Sequence, residues 1–192
     1  MKSETDFRFD GGATWLNLLA TQGQSFGVRP IERLRSPSDL RSWLTLAGME
    51  PSDEVSAGEL AKAISLREAL RDLAMSAVEG REASAHSEDC VNSTIAAGQN
   101  AEPGLGRLPL TETTRIPVSS ALAAVSIQAV VSLRGPDRAY LTECGESDCR
   151  WVFLDPSKRR RWCPSPACAS RGRVRAHRAR IGTTEPTTEA AT

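Results

Sequence analysis

A chain of 192 residues with 40% hydrophobic residues has enough apolar content for a packed core, which excludes a wholly disordered protein. Residues 1–12 carry Glu4, Asp6 and Asp10 without an apolar run, and the longest mainly apolar stretch, Ala121 to Leu133, falls short of the about 20 residues a bilayer span needs. Neither an export signal nor a membrane helix is therefore expected. The net charge of zero hides a split: Arg150 to Arg180 holds ten basic residues against the single acid Asp155, about +9, which leaves about −9 on the rest. A basic end on an acidic body points to an anionic partner. With no export signal or membrane span expected, the chain is expected in the cytoplasm, at the nucleoid.

In chain order, Phe7-Arg8-Phe9 alternates and is stopped by Gly11-Gly12, the pattern of a short strand and turn. A helix from about Thr14 to Ala20 is apolar nearly all round at Trp15, Leu16, Leu18 and Leu19, so it should be buried. Ser36-Pro37 reads as an N-cap and a first-turn proline. The short helix it opens presents Leu40, Trp43, Leu44 and Ala47 and stops at Gly48. Ser56-Ala57-Gly58-Glu59 is a capping box for a longer helix to about Val78, with Leu60, Ala63, Ile64, Leu70, Leu73, Ala74 and Ala77 at helical spacing. Residues 80–100 are expected to continue helical, Glu102 to Gly106 to turn, and Leu108 to Thr114 to form an extended strand before Pro117. Leu122, Val125, Ala129, Val130 and Leu133 mark a further amphipathic helix, closed by Gly135-Pro136. Ile181 to Thr192 lacks an apolar pattern and reads as a disordered tail.

The chemistry lies beyond Gly135. Cys144-x4-Cys149, thirteen intervening residues and Cys163-x4-Cys168 make two cysteine pairs at similar spacing, able to bring four thiolates to one tetrahedral zinc. Gly145 lets the first turn fold back, and Trp151, Phe153, Leu154 and Trp162 can form an apolar platform on two strands joined by the turn Asp155-Pro156-Ser157. Ser165-Pro166 repeats the helix-opening signal. It places Cys168 in the first turn of a final helix, where the helix dipole favours the thiolate. Knuckle, hairpin and ligand-bearing helix resemble a treble clef. Two disulfides would also use four cysteines, but a chain without an export signal meets a reducing cytosol. Redox catalysis favours C-x-x-C, which neither pair has. Cys90 stands outside the motif and reads as a buried thiol.

On the final helix, Cys168, Gly172, Ala176 and Ala179 share one small-residue side that allows close approach to the zinc hairpin. Arg171, Arg175 and Arg178 flank it, with Arg173, His177 and Arg180 elsewhere, and Lys158, Arg159, Arg160 and Arg161 form a second cluster at the hairpin turn. Guanidinium forks suit phosphates and guanine edges, so these nine basic residues are the candidate DNA contacts. The bland alternative is a solvated helix face or pairing with the acidic body. His86 and His177 are lone histidines, Glu88-Asp89 a solvated acidic pair and Asn92-Ser93-Thr94 a sequon without meaning in the cytoplasm. No phosphate-cradling loop or nucleophile elbow is present, and no enzyme is expected.

Cys144 to Arg180 resembles the CGNR zinc finger, whose last ligand opens a Cys-Gly-Asn-Arg run before a basic helix. Here that run reads Cys168-Ala169-Ser170-Arg171, preceded by Cys149-Arg150-Trp151-x-Phe153 and Arg161-Trp162-Cys163. The part before it is similar to the ABATE domain, grouped with stress-induced transcription regulators, at Phe7-Arg8-Phe9-x-Gly11-Gly12, Leu16 to Thr21 and Pro37 to Gly48. Where that family has Leu-Asp-Phe-x-Asn-Thr, this chain has Leu16-Asn17-Leu18-Leu19-Ala20-Thr21. The expectation is an α+β protein: a mostly helical domain over residues 1–134, a treble-clef-like zinc finger with a C-terminal helix over 135–181, and a tail over 182–192. One structural Zn2+ on Cys144, Cys149, Cys163 and Cys168 would support duplex DNA binding by a transcription regulator, the helical domain serving a homodimer or a small-molecule effector. The rival is an adaptor whose zinc module binds RNA or an acidic protein.

Overall fold

The computed structural model describes residues 6–101 and 115–182. The expected turn at 102–106, the strand at 108–114 and the tail from 183 onward lie outside the described residues, whereas Ile181 and Gly182 close the last helix instead of opening a tail.

Among the described residues five helices make the body: α1 (Thr14–Leu19), α2 (Pro37–Leu46), α3 (Ala57–Glu79), α4 (Ala85–Ala101) and α5 (Val118–Arg134). Their starts follow the chemistry of their caps. Ser36 accepts the Asp39 N–H at 3.2 Å ahead of α2. At α3 the Ser56 hydroxyl accepts from Glu59 N–H while the Glu59 carboxylate accepts from Ser56 N–H at 2.7 Å, a reciprocal box. The helix expected to run through 80–100 is broken once. Gly80 takes a left-handed conformation (φ +69°) and ends α3, and the chain turns before the Ser84 hydroxyl, accepting from Ser87 N–H, opens α4.

Helix α5 packs against α4, α3 and α1, burying Ala121, Leu122, Ala123, Val125 and Ala129 among Leu66, Leu70 and Ala74 of α3 and Trp15, Leu16, Leu18 and Leu19 of α1. Each fully buried leucine or valine contributes about 1.5–3 kcal/mol, so this interior dominates the stability of the body. A short antiparallel ladder that the sequence reading did not anticipate, β1 (Gln22–Gly23) with β2 (Ile31–Glu32), lies beside α3. It is held there by Arg67, 1% exposed, which donates to both Glu32 oxygens at 2.7 Å and to Thr21 Oγ1 at 3.2 Å. A charge this deep is tolerated because every partner is in place.

Beyond α5 a 3-10 turn (Pro136–Tyr140) leads to β3 (Leu141–Glu143), which pairs antiparallel with β4 (Val152–Leu154), Thr142 opposite Phe153. Helix α6 (Pro166–Gly182) ends the described chain. Two local expectations are corrected here. Phe7 to Phe9 form no strand: the pairing in this region is the Leu154 N–H donating to Gly11 O at 2.9 Å, and Phe9 stacks on Trp43. The hairpin is also displaced, because its strands flank the first cysteine pair and do not meet at Asp155-Pro156-Ser157. The fold-back needed to turn Cys144 and Cys149 toward one point already brings their flanks into register. After β4, Asp155 captures Ser157 N–H, the Ser157 hydroxyl and Arg160 N–H, closing a loop through a side chain where a ladder was expected.

Candidate metal centre and basic surface

Cys144 leaves β3, Cys149 closes the knuckle, Cys163 follows the Asp155 loop and Cys168 sits in the first turn of α6. Their sulfurs all lie within 4.8 Å of one another, and all four residues are buried. Zn–S bonds of about 2.3 Å in a tetrahedron require sulfurs about 3.8 Å apart, so the cluster is the right size and the donor set the right softness for one zinc ion. Four thiols this close share protons. Donation from Cys149 holds the Cys144 thiol down, to about 7, and donation from Cys144 depresses Cys163, while Cys149 and Cys168 are pushed up. A dication that replaces those protons lets all four act as thiolates.

The first knuckle turns on Glu146. Its backbone carbonyl accepts Cys149 N–H and Arg150 N–H, and its carboxylate, 1% exposed, faces α6, with Arg175 Nη2 at 3.1 Å and Arg171 Nε at 3.5 Å. The left-handed residue of the knuckle is Arg150 (φ +43°), held by Glu143 at 2.5 Å and by Glu79 of α3 at 2.6 Å. Gly145 serves a close approach instead: its N–H donates to Arg161 O at 2.9 Å, which ties the first knuckle to the second cysteine pair. Close packing recurs at Gly172, where a Cβ would collide with the Trp162 indole. Cys168 and Gly172 of the small-residue side of α6 thus lie against the finger.

The finger shares its interior with the body. Trp151, Val152 and Phe153 belong to the same buried cluster as α1 and α3, and Trp151 Nε1 donates to Leu16 O at 2.9 Å. Asp148 O accepts from Phe26 N–H, and Arg8 lies over the Trp151 ring with Nη1 4.0 Å from Cys163 Sγ.

The nine basic candidates divide. Arg171 and Arg175 point back onto Glu146, and Arg171 also reaches Asp148 at 3.2 Å and Cys168 Sγ at 3.6 Å. Lys158 lies near Tyr140 and Arg161 near Trp162, both with exposed side chains, as are Arg159 and Arg160. Arg173, Arg178 and Arg180 are exposed along α6, and among the described residues no carboxylate pairs with Arg173 or Arg178. Glu143, Glu146 and Asp148, just ahead of the basic stretch, therefore neutralise part of it. Sequence reasoning missed Glu146 and Arg8. The signal for Glu146 was an acid inside a cysteine knuckle facing a helix rich in arginine; nothing local marked Arg8. Cys90 is half-buried on α4, where burial pushes its thiol up.

A mostly helical body bearing a four-cysteine finger and a basic terminal helix is the architecture of a metal-stabilised protein with a cationic end. Residues 12–136 match the family described as "putative stress-induced transcription regulator", ABATE, and residues 140–181 match the CGNR zinc finger, in the order expected from the sequence. The chain belongs to the ABATE family. The CGNR finger binds one zinc ion, and neither matched family is one of enzymes. No curated protein matches the chain. Among the described residues no helix is long and apolar enough to cross a membrane.

Proposed function

We propose that this chain is a zinc-dependent DNA-binding transcription regulator of the bacterial type, acting at the nucleoid, with Cys144, Cys149, Cys163 and Cys168 as the zinc ligands. The observation that carries this reading is the division of labour on α6. Arg171 and Arg175 clamp the buried Glu146 and so fix the helix to the finger, while Arg173, Arg178 and Arg180 extend from it. Lys158, Arg159, Arg160 and Arg161 add a second cationic group on the adjacent loop. Rigid presentation of guanidiniums suits phosphate contacts and major-groove edges. Residues 1–134 form the part that dimerises or binds an effector, and residues 135–181 the DNA-binding part.

Salt-titrated binding of the zinc-loaded chain to duplex DNA, RNA and an acidic polypeptide tests this. If about five phosphates are neutralised, log K falls against log salt with a slope near −4 to −5, and alanine at Arg159 and Arg160 flattens it by up to about two units. Arg178→Ala is expected to cost about 1–3 kcal/mol and relax one position of a selected sequence, whereas Arg175→Ala acts through the stability of the finger. Absence of salt-dependent duplex affinity together with binding to RNA or the polypeptide replaces the regulator with an adaptor.

A further inference from the structure

Arg8 precedes α1 and faces a sulfur 155 residues away. Three contacts fix its guanidinium. It lies over the Trp151 indole, 4.5 Å from the ring centroid, Nη2 donates to both Asp10 oxygens at 3.0 Å, and Nη1 is directed at Cys163 Sγ at 4.0 Å. The side chain is 20% exposed. On another sulfur of the same cluster, Arg171 Nη2 approaches Cys168 at 3.6 Å. Four thiolates around a zinc dication leave two net negative charges in a buried site, an arrangement that costs solvation unless cations or donors face the sulfurs.

We propose that Arg8 is an outer-sphere positioning residue of the zinc centre, pairing with Arg171 to offset the thiolate charge and making the segment ahead of α1 part of the metal site's surroundings. The inference rests on the four-cysteine ligand reading. Asp10 engages Nη2 and leaves Nη1 for sulfur, so the carboxylate orients the guanidinium without consuming it. Arg171 ion-pairs with Glu146 and donates to Asp148 and Cys168, and among the described residues Arg8 is the cation of the body that reaches a sulfur. A cavity of about 350 Å³ between β1 and α6 is lined by Arg8, Arg171, Cys149 and Cys168, so a chelator approaching the sulfurs from that side passes both guanidiniums.

The test uses the zinc-loaded full-length chain, Arg8→Gln, Arg8→Lys and, as a surface control, Arg35→Gln. Zinc release to a chromogenic chelator is expected about 10–100-fold faster in Arg8→Gln, the range typical of lost outer-shell partners, with Arg8→Lys intermediate and the control unchanged. Cobalt substitution supplies a second readout: the thiolate-to-metal charge-transfer band should move to lower energy in Arg8→Gln, because sulfur loses a donor that stabilises its electrons. Unchanged release and an unmoved band, in chains that hold zinc, overturn the role of Arg8 alone. A melting temperature that drops equally with and without zinc, with the band unmoved, also overturns it, since Arg8 would then only pack on Trp151. A wild-type chain that retains no zinc overturns the ligand assignment and this inference together.

Discussion

The helical body and the finger solve the same stability problem by different means. In the body, α3 and α5 lay long apolar faces against α1 and α4, and Trp15, Leu16, Leu40, Trp43, Leu66 and Leu70 are fully buried. The finger has two three-residue strands and one helix, too little regular structure to bury a core of its own. It compensates with a metal centre and with Trp151, which stands just ahead of β4 and reaches into the body. The body's shape follows from its own apolar pattern, while the finger's shape depends on an ion and on a neighbour.

The largest effect should come from the ion. Structural zinc sites contribute about 10–16 kcal/mol of apparent binding energy, so Cys163→Ser is expected to lose zinc and the ordered finger together while α3 to α5 remain helical. Cys90→Ser should keep its zinc. Elemental analysis with circular dichroism checks both: zinc retained in the first variant or lost from the second would remove the contrast between the regions at its base.

Trp151 sharpens the comparison because it belongs to both sides. It is 5% exposed and bonded to Leu16 O, so Trp151→Ala should cost about 3–5 kcal/mol, appearing as a lower melting temperature of the body as well as faster zinc loss. Trp43→Ala, buried wholly within the body, should lower the melt without accelerating release. A truncated chain of residues 1–134 lacks Trp151 and the Leu154 contact to Gly11, and should melt below the full chain. Equal melting would mean that the boundary at 134 isolates an independent unit.

What was legible in the sequence follows the same line. Helices with local caps and apolar spacing could be read directly, as at Ser36, Ser56-Glu59 and Gly135, and so could four cysteines with metal-ligand spacing. Contacts that join distant segments could not. Trp151 was read as part of the finger's own platform because nothing in its neighbourhood reveals Leu16. Spacing places Arg175 among the candidate DNA contacts, because its partner Glu146 lies 29 residues earlier and nothing local reveals it. Asp155 was read as a hairpin residue, yet its carboxylate gathers the loop after β4. Spacing reveals ligands that must converge on one ion; it does not reveal which charge lies opposite which once the chain has folded.

The smallest expected effect belongs to the body alone and to an acid. Asp72 on α3 accepts Ser84 N–H at 2.9 Å and Arg81 Nη2 at 2.8 Å, pinning the turn that begins α4. Burial works against its charge, but the Ser84 N–H, Arg81 and the serine hydroxyls outweigh it and hold the carboxyl at about 2, below the ordinary 3.8. A group depressed in the folded state adds stability above its unfolded pKa and loses it as pH falls from about 4 toward 2. The Asp72 side chain is 24% exposed, so after allowance for solvent screening the contribution is about 1 kcal/mol. Asp72→Asn should therefore be less stable than wild type by about that amount near neutrality, with the gap closing by about pH 2. Acid also protonates the cysteines and releases zinc in both proteins, so the informative quantity in urea unfolding is the difference between them at each pH. A gap that stays constant from pH 6 to pH 2 would mean that Asp72 acts as a neutral turn-former, and that the charged contacts across the α3–α4 turn add nothing to the body's stability.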